Sequence, residues 1–229
     1  MSLMDSIKQN FIEADRWKYL INGLMTTLLI TLFAVLIGIV LGFLVAIVRS
    51  TCIKTGRLKI LDFFCRIYLT VIRGTPVVVQ LLITYFVIFG SVNVSKVLVA
   101  IMAFGINSGA YVAEIVRGGI MSVDNGQFEA GRSLGLNYRQ TMHYIIMPQA
   151  LKTVLPALAN EAIVLLKETS VAGYIAIADL TKGGDIIRSQ TFSPFLPLIS
   201  VALIYLVIVM FLTYLVGKLE RRLSVNDRR

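Results

Sequence analysis

The sequence predicts an all-α membrane protein of about five transmembrane helices, joined on the cytoplasmic side by short helices. Three observations carry this. Hydrophobic residues make up 57% of the 229 residues and charged residues only 15%, against about 25% charged in a soluble domain. The apolar residues collect in long runs, on the scale of the ~20 residues a helix needs to cross a bilayer. The basic residues collect between those runs, mostly on one side.

The first run, Tyr19 to Val48, is thirty residues without a charge. Gly74 to Ser95 is twenty-two residues long, Val97 to Ala113 seventeen, and Ser189 to Gly217 twenty-nine. Thr153 to Ala178 is strongly apolar but carries Glu161, Lys167 and Glu168. These runs predict spans over about residues 19–48, 58–90, 95–117, 151–173 and 195–218 of a single domain, 1–229, with a cytoplasmic loop over about 118–150. Thirteen basic residues fall on one side: Arg49, Lys54, Arg57, Lys59, Arg117, Arg132, Arg139, Lys152, Lys218, Arg221, Arg222, Arg228 and Arg229. Six fall on the other: Lys8, Arg16, Lys18, Lys96, Lys182 and Arg188. The bias puts the C-terminus in the cytoplasm and, with five crossings, the N-terminus outside. The net charge of +9 is then a matter of cytoplasmic loops, and nucleic acid is not expected as a partner.

Asp5, Glu13 and Asp15 spoil the positive n-region of a cleavable signal, and the first run is too long for an h-region. Met4, Ile7, Phe11 and Ala14 recur at helical spacing, so residues 3–18 read as an interfacial helix with Trp17 at the headgroups. Cys52 falls in a cytoplasmic loop and Cys65 in a span, so no structural disulfide is expected. Gly38 and Gly42 in the first span, and Gly105 and Gly109 in the third, stand four apart, as in closely packed membrane helices.

The second span starts well before Gly74, because Leu58 to Ile72 reads as helix. Arg73-Gly74-Thr75-Pro76 then breaks it. Pro76 has no N–H, so the Ile72 carbonyl loses its partner. A break at membrane depth is tolerated where protein or a water-filled cavity satisfies the freed groups. Two readings follow: a substrate path beside the break, or a kink satisfied by a neighbouring helix.

The segment Gly118 to Lys152 is too long for a turn. Gln127 to Leu134 makes two turns of helix, Gly135 fits a C′ position with positive φ, and Tyr138 to Met147 makes a second short helix, with Pro148 ending it or opening the next one. Glu129-Ala130-Gly131, three residues, Gly135, nine residues, Ile145-Ile146-Met147-Pro148 resembles the EAA signature of ATP-binding-cassette (ABC) importer permeases. Gly131 stands where that signature has a second Ala and Met147 where it has Leu; the spacing is kept in full. Arg73-Gly74-Thr75-Pro76 with Gln80, Asn107-Ser108-Gly109-Ala110-Tyr111 with Glu114, and Lys167-Glu168-Thr169-Ser170 are similar to the polar amino-acid uptake branch of that family.

The resemblance implies the type I importer permease fold and a bacterial inner-membrane location. It implies two ATPase subunits, a second permease copy or paralogue, and an extracytoplasmic amino-acid-binding protein, all in membrane lipid. Gln127, Phe128, Glu129, Ala130, Gly131, Arg132, Ser133, Leu134 and Gly135 would form the coupling helix that meets the ATPase. Physically, a short helix is a rigid lever; small residues let it sit deep in a groove, and Glu129 and Arg132 offer charge-assisted bonds at the rim. The chain has no GxxxxGK[ST] loop, so it is not itself an enzyme; ATP and Mg would be bound by the partner ATPase.

Ionisable residues inside spans are costly and mark candidate sites. Asn107, Tyr111 and Glu114 fall at i, i+4, i+7 on one face of the third span, while Ala157, Glu161, Val164, Glu168 and Ala172 share a face of the fourth. One reading has Asn107, Glu114, Glu161 and Asn160, with Tyr111 and Gln80, face a cavity that binds a polar solute. A carboxylate there suits the cation of a basic amino acid such as arginine, lysine or histidine, and Arg73 its α-carboxylate. The other reading makes Glu161 and Lys167 or Arg73 structural ion pairs. His143 reads as a surface or contact residue, and Ala176 to Arg188 as a short outer helix or helical pair that caps the pathway, touches a delivered binding protein or, as the favoured reading, is a plain connector. The function expected is import of a polar, basic amino acid by alternating access. The rivals are an ion-coupled secondary transporter or a channel subunit, and a membrane enzyme, for which no nucleophile–base pair is found.

Overall fold

A computed structural model describes residues 3–225; Arg228 and Arg229 of the basic tail lie outside the described residues. The helices are α1 (Leu3–Ile7), α2 (Trp17–Thr55), α3 (Lys59–Arg73), α4 (Val77–Ile83), α5 (Lys96–Met121), α6 (Asn125–Ser133), α7 (Tyr138–Thr141), α8 (Met147–Glu168), α9 (Leu180–Thr191) and α10 (Phe195–Val225). No strand occurs among the described residues. Four helical stretches are long and apolar enough to cross a membrane: Trp17–Thr55, Lys96–Met121, Tyr138–Ile175 and Phe195–Leu223. The fifth is α3 with Val77–Ile88, a pair bent by 108°.

The packing centres on α2 against α5, and the four glycines of the sequence pattern meet there. A Cβ on Gly105 would lie 2.8 Å from the Ile37 side chain, and one on Gly38 would lie 2.9 Å from Ser108 Oγ. Leaving out those methyls brings the two backbones into contact, which in lipid replaces the hydrophobic drive that water would supply. Around this crossing Ile30, Ala34, Leu81, Phe104 and Leu165 form one buried cluster. Ala46, Val112, Val116, Ile146 and Val154 form a second, nearer α6. The outer faces of α2 and α10 stay apolar and exposed, as lipid contact requires.

Several expectations change. α2 runs through to Thr55, so Arg49 and Lys54 stand on the helix and not in a loop. Cys52 on α2 and Cys65 on α3 are both free. The interfacial helix over 3–18 does not form as one piece. Ala14 and Asp15 take left-handed backbone angles, φ 52° and 54°, and interrupt it. The segment is instead tied to α9: buried Asn10 accepts a bond from Thr191 Oγ1 at 2.8 Å, and Phe11 packs on Leu20, Leu180, Ile187 and Val201. The short outer helix expected over 176–188 is present as α9, and it is a packed element and not a plain connector. Asp179 caps it by accepting from the Thr181 and Lys182 amides, and Thr27 Oγ1 accepts from the Leu180 amide at 3.1 Å. Gly183 of α9 lies so close to α2 that a Cβ there would meet the Tyr19 carbonyl at 2.5 Å.

Of the two readings of Pro148, the one in which it opens the next helix holds, and a π turn over Met142–Ile146 joins α7 to α8, so the helix that carries the fourth apolar run begins at Tyr138. Pro148 falls in the first turn of α8, where its missing N–H is tolerated. Gly105→Val should therefore cost about 1–3 kcal/mol by forcing the helices apart. Gly118, where an added methyl would meet nothing within 4 Å, should accept Ala without loss. Thermal unfolding of the purified variants in detergent checks both.

Candidate functional site

The broken span builds the first polar group. The Ile72 carbonyl, left without a partner by Pro76, accepts a bond from Gln80 Nε2 at 2.7 Å. The same nitrogen reaches the Thr75 carbonyl at 3.0 Å and Thr75 Oγ1 at 2.9 Å. Gln80 thus takes over the role of the missing proline N–H. Its own Oε1 accepts from Asn107 Nδ2 at 3.0 Å, which fixes the amide orientation. Asn107 is buried, and its Oδ1 has no partner among the described residues. One residue on, Ser108 Oγ donates to Glu161 Oε1 at 3.1 Å. Gln80, Asn107, Ser108 and Glu161 thereby bring α4, α5 and α8 together. Asn160, exposed on α8, is not drawn into this group.

Glu114 belongs to a second group. Its Oε1 accepts from Arg49 Nη1 at 2.7 Å and its Oε2 from Arg117 Nη2 at 2.8 Å, while Arg73 Nη1 stands 3.8 Å away. Arg49 Nε also lies 3.5 Å from buried Asp62, whose other oxygen accepts from Arg66 Nε at 2.7 Å. Both oxygens of Glu114 are occupied by guanidinium groups, so its charge is already met within the chain. Tyr111 lies between the two groups, with the Arg73 guanidinium 5.9 Å from its ring centre. Asn107, Tyr111 and Glu114 do follow one face of α5, but they serve different partners. A cavity of about 410 Å³ opens beside the second group, lined by Arg49, Arg66, Leu69, Thr70, Arg73, Gly74 and Glu114.

Arg49, Asp62 and Ser108 do not stand out in the sequence as site residues. The i, i+4 spacing of Asp62 and Arg66 carries a signal for one pair. Arg49 carries none, because the charge-free run ends at Val48 and the next residue reads as loop.

α6 is capped at both ends by its own sequence. Asp124 accepts from the Gly126 amide at the start. At the far end the Leu136 amide bonds the Gly131 carbonyl and the Gly135 amide the Arg132 carbonyl, with Gly135 at φ 77°. This is the C-terminal glycine motif that the spacing predicts. Gly131, however, is buried against its own chain, where a Cβ would meet Thr141 Cγ2 at 2.7 Å. Its small size closes the α6–α7 corner and is not spent on an external groove. Phe128 is half-buried under Lys54, whose Nζ is 4.2 Å from the ring centre and also bonds Asn125 Oδ1 at 2.9 Å. Gln127 Oε1 accepts from Gln149 Nε2 at 3.3 Å. Glu129, Ala130, Arg132, Ser133 and Leu134 are exposed, and Leu134 is 76% exposed. No group of three His, Cys, Asp or Glu able to hold a metal ion occurs among the described residues.

Broken and crossed spans, a polar group at a helix break, and a capped short helix that leaves charged and apolar side chains exposed fit a membrane permease subunit. The chain belongs to the family of binding-protein-dependent transport system inner membrane components, whose model matches residues 38–225. It is thus a multi-pass inner-membrane protein and the non-catalytic subunit of an ABC importer. The arginine transport system permease protein ArtQ of Bacillus subtilis (strain 168) is 36% identical over 211 residues, which are 91% of this chain and 94% of that one. The glutamine transport system permease protein GlnP of Escherichia coli (strain K12) is 39% identical over 162 residues, 69% and 74% of the two chains. A chain in a crystal structure of an amino acid ABC transporter with histidines has a TM-score of 0.83 at 41% identity and covers 97% of this chain and 99% of its own. The MetNI methionine ABC transporter, at 17% identity and a TM-score of 0.77, shares the fold.

Gln80→Leu should leave the Ile72 carbonyl and Asn107 unsatisfied together. We expect about 1–3 kcal/mol of destabilisation, read by thermal unfolding, and greater than that of the exposed Asn160→Leu.

Proposed function

We propose that the chain is the permease of an ATP-driven importer that carries a polar, basic amino acid. One observation supports this most directly: Glu161 stands half-buried in a span with a single hydrogen bond, from Ser108, among the described residues. Glu114 has three guanidinium groups around it; Glu161 has none, so its carboxylate remains available to a cationic solute. The buried Asn107 Oδ1, which has no hydrogen-bond partner among the described residues, is a second acceptor at this level of α5, on the neighbouring face. Tyr111 and Arg73 form the side of the site toward the second polar group, and Arg73 is the group for the α-carboxylate. The relatives named for arginine and for glutamine support an amino acid as the solute class.

The transport cycle follows from the lever. Two permease subunits sit on two ATPase subunits, which hold ATP and Mg, and an external binding protein delivers the solute. The termini lie as the basic residues direct, N-terminus outside and C-terminus in the cytoplasm. Nucleotide binding draws the ATPases together and pulls on the exposed Glu129-Ala130 and Arg132-Ser133-Leu134 face of α6. The pathway then alternates between outward and inward openings, a two-state equilibrium biased by nucleotide.

Glu161→Gln in the complete complex in proteoliposomes should lower uptake of a cationic amino acid about tenfold or more, the scale of one charged hydrogen bond. Unchanged uptake would remove Glu161 from the site. Glu129→Arg, at the exposed rim of α6, should leave the permease folded and weaken its co-purification with the ATPase; retained stoichiometry and uptake would overturn the coupling role of that face.

A further inference from the structure

The second polar group has more charge than its own carboxylates can use. Four guanidinium groups, from Arg49, Arg66, Arg73 and Arg117, face two carboxylates, Asp62 and Glu114. Glu114 accepts on both oxygens; Asp62 accepts from Arg66 on Oδ2, and its Oδ1 stands 3.5 Å from Arg49 Nε without a hydrogen bond. The arginines keep donors to spare. Each carries five N–H donors. Arg66 uses one of them on Asp62 and Arg49 one on Glu114. Arg73 reaches only a 3.8 Å ion-pair contact and the Tyr111 ring. Arg49 Nε is spent on the ion pair with Asp62 at 3.5 Å, which leaves the spare donors on Arg66 and Arg73.

These spare donors converge because α3 is sorted into faces. Asp62, Arg66, Thr70 and Arg73 follow one another at three- and four-residue steps, so they form a polar stripe along the helix. Ile60, Phe64, Ile67 and Val71 form a separate, exposed apolar stripe on the same helix. The bend at Pro76 ends the polar stripe in the cavity of about 410 Å³, where Arg49 of α2 and Glu114 of α5 close it. A basic pocket between membrane helices, bordered by apolar surface, suits an anionic head group.

We propose that the cavity lined by Arg49, Arg66, Thr70 and Arg73 is an oxyanion-binding site, distinct from the Gln80–Asn107–Ser108–Glu161 group. Its ligand is a singly charged group with two or more terminal oxygens, which two guanidinium forks can hold at once. The phosphodiester of an anionic phospholipid and the carboxylate of an amino acid both have that chemistry. Its carboxylate arm shares Arg73 with the proposed solute site and rests on that reading; its lipid arm does not, and Glu161→Gln, which leaves the arginines in place, tests the solute reading separately.

The test uses the complete permease–ATPase complex in nanodiscs of phosphatidylcholine alone. Phosphatidylglycerol is titrated in and retained lipid is counted by native mass spectrometry. In a parallel arm, acetate is added and its binding is read by saturation-transfer NMR. Wild type should hold one of these probes, and Arg66→Gln with Arg73→Gln should weaken it roughly tenfold or more. Retention of phosphatidylglycerol assigns a lipid source; saturation of acetate alone assigns a carboxylate source. Arg66→Lys should lose part of the affinity, because it keeps the charge without the fork, while Arg188→Gln, at the α9 surface, should lose none. Thermal unfolding confirms that the variants fold. Failure of wild type to hold either probe, or equal binding by the double variant, overturns the proposal.

Discussion

A carbonyl at membrane depth cannot turn to water, and that constraint organises this chain around Gln80. Pro76 frees the Ile72 carbonyl inside a span, and hydrocarbon offers it no donor. Gln80 answers from the next turn of chain with a 2.7 Å bond. The 108° bend is therefore held by a side chain and need not be filled by solvent. Because the Gln80 amide donates toward the break, its oxygen must face the other way, and Asn107 of α5 meets it. The same side chain that answers the carbonyl thus ties α4 to α5, one residue before the Ser108 that meets Glu161.

The two carboxylates nearest this arrangement differ in what surrounds them and not in what they are. Glu114 stands where α2, α3 and α5 all deliver arginines, so it acts as a joint between helices. Glu161 stands on α8 opposite α5 residues that carry no positive charge, and receives only a hydroxyl. The same side chain is tied into ion pairs in one place and meets a single hydroxyl in the other. An ionisable group in a span is read only after its partners are counted.

Much of the fold was legible. The charge-free runs found the spans, the four glycines found the α2–α5 contact, and Gly135 announced the end of α6. Proline showed where the second span breaks, and it showed which carbonyl would be stranded. What sequence did not show was who answers it, since Gln80 lies eight residues beyond Ile72 and across a bend. Pairing between distant helices was equally hidden: Arg49 and Glu114 are sixty-five positions apart, and nothing local in either segment refers to the other. The α6 end misled in a different way. Gly131 read as a residue cleared for a partner, because a small side chain looks the same whether the close neighbour is another protein or Thr141.

The π turn over Met142–Ile146 sets a phase. Each such turn holds one residue more than an α-helical turn, so the helix beyond it is rotated by about 100° relative to the helix before it. Tyr138, beside α6, and Glu161, fourteen positions into α8, are parts of one rod whose two halves are indexed by that single extra residue. An insertion or deletion of one residue in this stretch would turn Glu161 by about 100° away from Ser108 while leaving both helices able to form. The length of chain between the α6–α7 corner and Glu161 thus sets which neighbour that carboxylate meets.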